Sequence, residues 1–331
     1  MRRIKGFPDG HGPKVVALGG GHGLAATLRA MRRVTDNLTA IVGVSDDGGS
    51  SGRLRHEFGV LPPGDLRMAL AALCGDDTWG RTWSRVVQHR FHGAGDLDGH
   101  SLGNLLIMSL WEETGDVVAG LDWVAALLGA QGRVLPVSLD PLEIVADVRG
   151  LDPADPQGVQ EVRGQHTVAM TQGTVCGIRV DPEDPPACPE ALDAVDEADV
   201  ILLGPGSWYT SVIAPLLVPE LATRIKESPA KRVVVLNLVA QQGETTGFTA
   251  ERYVSVLSDE VGGFTADAVV ADPRSVVDPE VLAQVCADEL GAELVMRPVA
   301  APGRPDGVHD PDLLAGALAE LSGRGRISPW R

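Results

Sequence analysis

The stretch Val15-Val16-Ala17-Leu18-Gly19-Gly20-Gly21-His22-Gly23-Leu24 decides the fold class. A short apolar, β-branched run reads as a buried strand, and the glycines that follow it break the extended period. From Leu24 to Arg33 the period becomes helical, with Leu24, Leu28 and Met31 on one face. Strand, glycine turn and helix form the opening half of a βαβ unit. The same texture recurs at Thr39–Val44, Val200–Leu203, Arg232–Leu238, Ala268–Val270 and Leu294–Met296, mostly with helical patterns between. This alternation predicts an α/β protein with a doubly wound, mostly parallel, Rossmann-like sheet. Aromatic residues are only 4% against 44% hydrophobic, which suits an aliphatic core between sheet and helices and argues against a β-sandwich.

Residues 14–321 read as one domain. Within it, 78–130 is a helical insertion and 151–189, rich in Pro, Gly and Asp, an irregular β-containing excursion. Residues 1–13 and 322–331 are expected to be flexible termini. Helices are expected at Leu66–Leu73, with Asp65 as N-cap, and at Ser101–Glu113. Trp79, Trp83, Trp111 and Trp123 are expected to pack the helical insertion.

Three glycine-rich turns at strand ends carry the chemistry. Gly19, Gly20, Gly21, His22 and Gly23 open the first helix, where unpaired N–H groups and the helix dipole favour a phosphate. Gly21-x-Gly23-x-x-Ala26 also fits the alanine form of a dinucleotide fingerprint, although packing alone can demand glycine there. After the second strand comes Asp46-Asp47-Gly48-Gly49-Ser50-Ser51-Gly52-Arg53. Its amides, two hydroxyls and a guanidinium read as an anion nest. Asp46 and Asp47 are open to three roles: a ribose hydroxyl, a general base, or Mg²⁺ held together with phosphates. Asp65 and Arg67 follow in Leu61-Pro62-Pro63-Gly64-Asp65-Leu66-Arg67. The third turn, Gly204-Pro205-Gly206-Ser207-Trp208-Tyr209-Thr210, ends another buried strand. Asn237, Glu244 and Thr245 add amide, carboxylate and hydroxyl groups able to read a base or a sugar. Asn104 belongs to Gly99-His100-Ser101-Leu102-Gly103-Asn104, a helix start.

A net charge of −17 makes nucleic acid or an anionic membrane an unfavourable partner, so an anionic ligand needs locally concentrated donors. The N-terminal stretch lacks an apolar signal core and no run of 18 apolar residues occurs, so a cytoplasmic protein without membrane insertion is expected. Cys74, Cys176, Cys188 and Cys286 are widely spaced and read as reduced thiols. His89-x-x-His92 lacks further ligands for zinc. Neither a G-x-S-x-G elbow nor a Walker GKS/T motif occurs.

The ordered set Gly19–Leu24, Asp46–Arg55, Leu61–Arg67 and Gly204–Ser211 resembles the YvcK family of gluconeogenesis factors, in the CofD-like superfamily, over roughly residues 14–321. His22 stands where many members carry Thr, and Gln241-Gln242-Gly243-Glu244-Thr245 where Gln-Pro-Gly-Glu-Thr is common. The resemblance implies a UDP-N-acetylglucosamine or related UDP-sugar binder without established turnover, supporting envelope biogenesis, cell shape and growth on gluconeogenic carbon. It implies no fixed cofactor beyond optional Mg²⁺ and points to an envelope-precursor enzyme as partner; a homo-oligomer stays open. Two alternatives remain. One is a CofD-like, Mg²⁺-dependent transfer of a phospho-acyl group to a deazaflavin; the other, NAD-dependent oxidoreduction, lacks an evident proton donor paired with a substrate arginine.

Overall fold

The computed structural model describes residues 12–304 and 307–323; most of the two expected flexible termini lies outside the described residues. The chain runs β1 (Val15–Gly19), α1 (Gly21–Met31), β2 (Leu38–Val42), α2 (Gly49–Phe58), α3 (Gly64–Leu73), α4 (Thr78–Gln88), α5 (Leu102–Thr114), α6 (Val117–Leu128) and β3 (Arg133–Pro136). Next come β4 (Glu143–Arg149), β5 (Val159–Arg163), α7 (Gln165–Ala169), β6 (Thr174–Asp181), α8 (Pro189–Glu197) and β7 (Val200–Leu203). A π-turn (Trp208–Ile213) and a 3₁₀ turn (Ala214–Leu217) lead to α9 (Pro219–Glu227), β8 (Lys231–Val235), α10 (Ala250–Glu260), β9 (Ala268–Ala271), α11 (Pro279–Leu290), β10 (Glu293–Met296) and α12 (Pro311–Gly323).

Seven strands form one parallel sheet in the order β10-β9-β8-β7-β1-β2-β3. The expected doubly wound, Rossmann-like sheet is present. Strands β1, β7 and β9 are buried along their whole length, whereas β10, at an edge, is half-exposed. That gradient explains why the inner strands read as continuous aliphatic runs. The chain winds from β1 toward β3 on one side, then returns to place β7 on β1's other side. The β1–β7 boundary is therefore the topological switch point, where turns at the carboxyl ends open a crevice.

Two strands of the excursion, β5 and β6, flank β4 in a separate antiparallel sheet, β5-β4-β6, which begins at Glu143, before the Pro- and Gly-rich stretch that marked the excursion in the sequence. Helix α1 starts a turn earlier than its apolar face, because Gly21 to Gly23 already follow the helix. Helix α3 begins at Gly64 with Pro63 as N-cap, so Asp65 lies in the first turn and is free to reach a neighbouring element. In the helical region Trp111 is buried, and Trp79 packs on Trp83 and donates to the Leu127 carbonyl of α6 at 3.3 Å, although Trp79 and Trp123 stay 55% and 51% exposed. Among the described residues no helix is long and apolar enough to cross a membrane.

Candidate functional site

The glycine turns after β1 and β7 meet backbone to backbone. A Cβ on Gly23 would overlap the carbonyl oxygen of Pro205 and lie 2.6 Å from the Cα of Gly206. Thr27, one turn along α1, donates to the carbonyl of Gly204 at 2.9 Å. Gly23 is thus required by packing at the switch point, whatever binds there. Gly21 has φ +57° and open space around its missing side chain, so there the backbone conformation is the constraint.

Each of these two turns already faces a carboxylate of the chain. Asp65 packs against Gly20 and accepts the amide of Gly21, so it sits on the start of α1. Burial, reinforced by nearby Asp46, raises its pKa to about 7. Glu244, 4% exposed, accepts the amide of Tyr209 at 3.1 Å and caps the π-turn after β7. Burial raises its pKa to about 7 as well, although donors from Trp208 to Thr210 pull the other way.

The remaining groups of the third turn position it. Asn237 accepts from the amide of Gly206 at 2.9 Å and donates to the same residue's carbonyl at 2.7 Å, a two-point clamp. The Thr245 hydroxyl accepts the amide of Gln241 at 3.0 Å, and the Tyr209 hydroxyl points to the carbonyl of Val175 at 3.5 Å. Tyr209 and Thr210 are buried, Ser207 half-buried, and His22 exposed on the first turn of α1. These residues hold the mouth of the sheet in shape, and the amide and carboxylate read from sequence as ligand contacts have protein partners.

The turn after β2 differs. Helix α2 has Gly48 as N-cap; Asp46 takes that residue's amide alone, so the first-turn amides of Gly49 to Ser51 are offered to whatever lies before them. There a cavity of about 220 Å³ is lined by Asp46, Gly48, Gly49, Ser50, Ser51, Gly64, Asp65, Arg67, Met68, Arg90 and Asn104. A shallower hollow of about 980 Å³ adjoins it through Gly49 and Ser50, bounded by Asp47, Gly52, Arg53, His56 and Glu57. Asp46 accepts the amide of Gly48 at 3.0 Å and remains at the cavity. Asp47 turns the other way and accepts the amide of His166 at 2.9 Å, tying the small sheet to the large one. The two adjacent aspartates do not form a carboxylate pair; Asp46 is coupled instead to Asp65. Among the described residues no group of three or more His, Cys, Asp and Glu could enclose a metal.

Arg53, expected to contact an anion, donates to the carbonyls of Asp96 at 3.3 Å and Asp98 at 2.6 Å and so anchors the 91–100 loop. That loop and its flanks bring in Arg90, which the sequence reading did not connect with the site, together with His100 and Ser101 of the helix-start motif. Ser50 Oγ receives Asn104 Nδ2 at 3.0 Å and the amide of Ser101 at 3.3 Å, which leaves its own hydrogen for His100 Nδ1 at 3.0 Å. Burial and the nearby Arg53 lower the pKa of His100, favouring the neutral ring this arrangement needs. Arg67 donates to the Ser101 hydroxyl. The helix-start pattern Gly99-His100-Ser101 was visible in sequence, but its contact with α2 spans about fifty residues and needs the fold.

Comparisons with known proteins agree with this architecture. Residues 15–296 match the family model described as 2-phospho-L-lactate transferase CofD. The chain is 50% identical over 312 residues to a putative gluconeogenesis factor of Mycobacterium tuberculosis, covering 94% of this chain and 90% of that one. It is 36% identical over 269 residues to the gluconeogenesis factor of Bacillus subtilis, 81% of each chain. A crystal structure of a UPF0052 family member from Bacillus halodurans superposes with TM-score 0.82 at 31% identity, covering 93% of this chain and 99% of that one.

Proposed function

Because this chain belongs to the CofD-like family and is a relative of the gluconeogenesis factors, we propose that it binds a UDP-sugar, UDP-N-acetylglucosamine first among them, as a regulatory protein and without consuming it. Its role would be to report nucleotide-sugar supply to an envelope-precursor enzyme in the cytoplasm, supporting cell shape and growth on gluconeogenic carbon. The observation that carries the ligand class is the cavity at the open first turn of α2. There Arg67 and Arg90 stand beside free helix amides in a chain whose overall charge is −17. A helix start with arginines suits a phosphate, and Asp46 and Asp65 on the same cavity suit sugar hydroxyls. Were Mg²⁺ to accompany the phosphates, Asp46 is the carboxylate placed to share it, because Mg²⁺ takes few protein ligands when phosphates and waters complete its shell. Asp47 accepts the amide of His166 in α7 and faces the adjoining hollow instead.

The test is isothermal titration of metal-free protein with UDP-N-acetylglucosamine, UDP-glucose, GDP and NAD, repeated with Mg²⁺, followed by chromatography of the recovered ligand. Selective binding of the N-acetyl sugar, recovered intact, is expected. Preference for GDP, together with a deazaflavin phosphodiester and released GMP when a deazaflavin and a guanosine-diphospho-acyl donor are supplied, overturns the regulatory reading in favour of a transferase; preference for NAD overturns it in favour of a dinucleotide site.

A further inference from the structure

Three turns at the mouth of the sheet look alike in sequence, yet they differ in what already faces their helix starts. Asp65 covers the start of α1 and Glu244 caps the π-turn after β7. At the start of α2, Asp46 takes only the amide of the N-cap Gly48, at 3.0 Å, and the first turn beyond it opens into the cavity. We infer that a phosphoryl group of the ligand is seated in the α2 cavity between Arg90 and Asn104, so that the ligand lies across α2 and outside the β1–β7 crevice. This rests on the nucleotide-sugar reading above and specifies where and by which residues it is realised.

Unsatisfied groups at the cavity wall point the same way. Asn104 is 1% exposed and its Oδ1 has no hydrogen-bond partner; Arg67 is 5% exposed and its Nε has none. Buried polar atoms without partners are uncommon, and two in one cavity wall mark a place where a polar ligand completes the network. A half-turn of the Asn104 carboxamide preserves its shape and reverses the network. His100 then donates to Ser50, Ser50 donates to Asn104 Oδ1, and the amide Nδ2 becomes a donor toward the cavity. Arg67 and Arg90 stand close enough that Arg90, after burial, lowers the pKa of Arg67, which reaches about 10. An anion between them relieves that repulsion. Asp46 and Asp65 line the same cavity, so the anion is favoured at the side formed by Arg90, Asn104 and the α2 amides. From that seat the rest of the ligand can extend past Gly49 and Ser50 into the adjoining hollow, which is large enough for a sugar or nucleoside.

The experiment uses pyrophosphate and UDP-N-acetylglucosamine as probes on the full chain and on Arg90→Ala and Asn104→Asp. Arg90 is exposed, and Asn104→Asp keeps the shape and an acceptor for Ser50, so both variants are expected to fold; circular dichroism checks this. Each substitution is expected to weaken pyrophosphate about tenfold or more, the loss of one charge-assisted contact or the gain of one repulsion. As a second readout, ¹⁵N-glycine labelling is expected to show the largest ligand-induced shifts at Gly48, Gly49 and Gly52. Unchanged affinity in both variants, largest shifts at Gly20 and Gly21, or no binding of either probe overturns the assignment. Pyrophosphate binding at Gly49 with no binding of the UDP-sugar sustains the seat and removes the sugar reading. UDP-sugar binding indifferent to both substitutions does the reverse.

Discussion

Glu244→Gln is expected to stabilise the protein by about 2 kcal/mol at pH 8 and to change little at pH 4. The Glu244 carboxyl has a folded pKa near 7 against 4.5 for the ordinary group, because it is buried. Between those values the unfolded chain releases the proton while the folded chain keeps it, so the group's contribution to stability is complete below about pH 4.5 and is lost as pH rises through about 7. The separation is worth roughly 3 kcal/mol at 1.36 kcal/mol per pH unit. Some of that is forgone in the variant, since a carboxamide is a weaker acceptor than a carboxylate for the amide of Tyr209. Urea denaturation at pH 4.5, 6 and 8 reads the effect. The wild type should weaken across this range more steeply than the variant. A variant less stable than wild type at pH 8 would mean that the ionised carboxylate is a net stabiliser of the π-turn, contrary to this account.

Gly23→Ala is expected to cost about 3 kcal/mol or more, and Gly21→Ala only about 1 kcal/mol. Both glycines belong to the same fingerprint, but for different reasons. At Gly23 the new methyl would enter the space of a backbone carbonyl, that of Pro205, which cannot swing aside as a side chain would. The turns after β1 and β7 would have to separate, straining the Thr27 bond to Gly204 as well. At Gly21 nothing lies within 4 Å of the added carbon, and only the left-handed φ of +57° is disfavoured. Equilibrium denaturation of the two variants beside the wild type gives the comparison. Equal losses would show that the switch point tolerates opening and that the contact with Pro205 contributes little.

Both predictions concern residues whose type was conspicuous in the sequence and whose role was not. The aliphatic runs, their spacing and the glycines after them sufficed for a parallel α/β sheet, because buried strands and βα turns impose local composition directly. The order of the motifs was enough for the family resemblance. Arg53 and Asp47 read as ligand contacts because guanidinium and carboxylate beside a glycine nest suit phosphate chemistry; the fold adds that they hold the 91–100 loop and α7 while lining the hollow beside α2. Arg90 carried no signal and His100 only that of a helix start, since what places them at α2 is the packing of an intervening helical region.

The α/β class, the buried strands and the three turns able to receive an anion were legible in the chain alone, for these follow from short-range periodicity and from the conformational freedom of glycine. Which turn stays most open depended on the fold: Asp65 reaches α1 from the first turn of α3, and Glu244 reaches the π-turn from a loop thirty-five residues on, while at α2 Asp46 takes only the amide of Gly48. A helix start attracts any nearby anion, and only the three-dimensional arrangement determines whether that anion is the chain's own carboxylate or a ligand's phosphate.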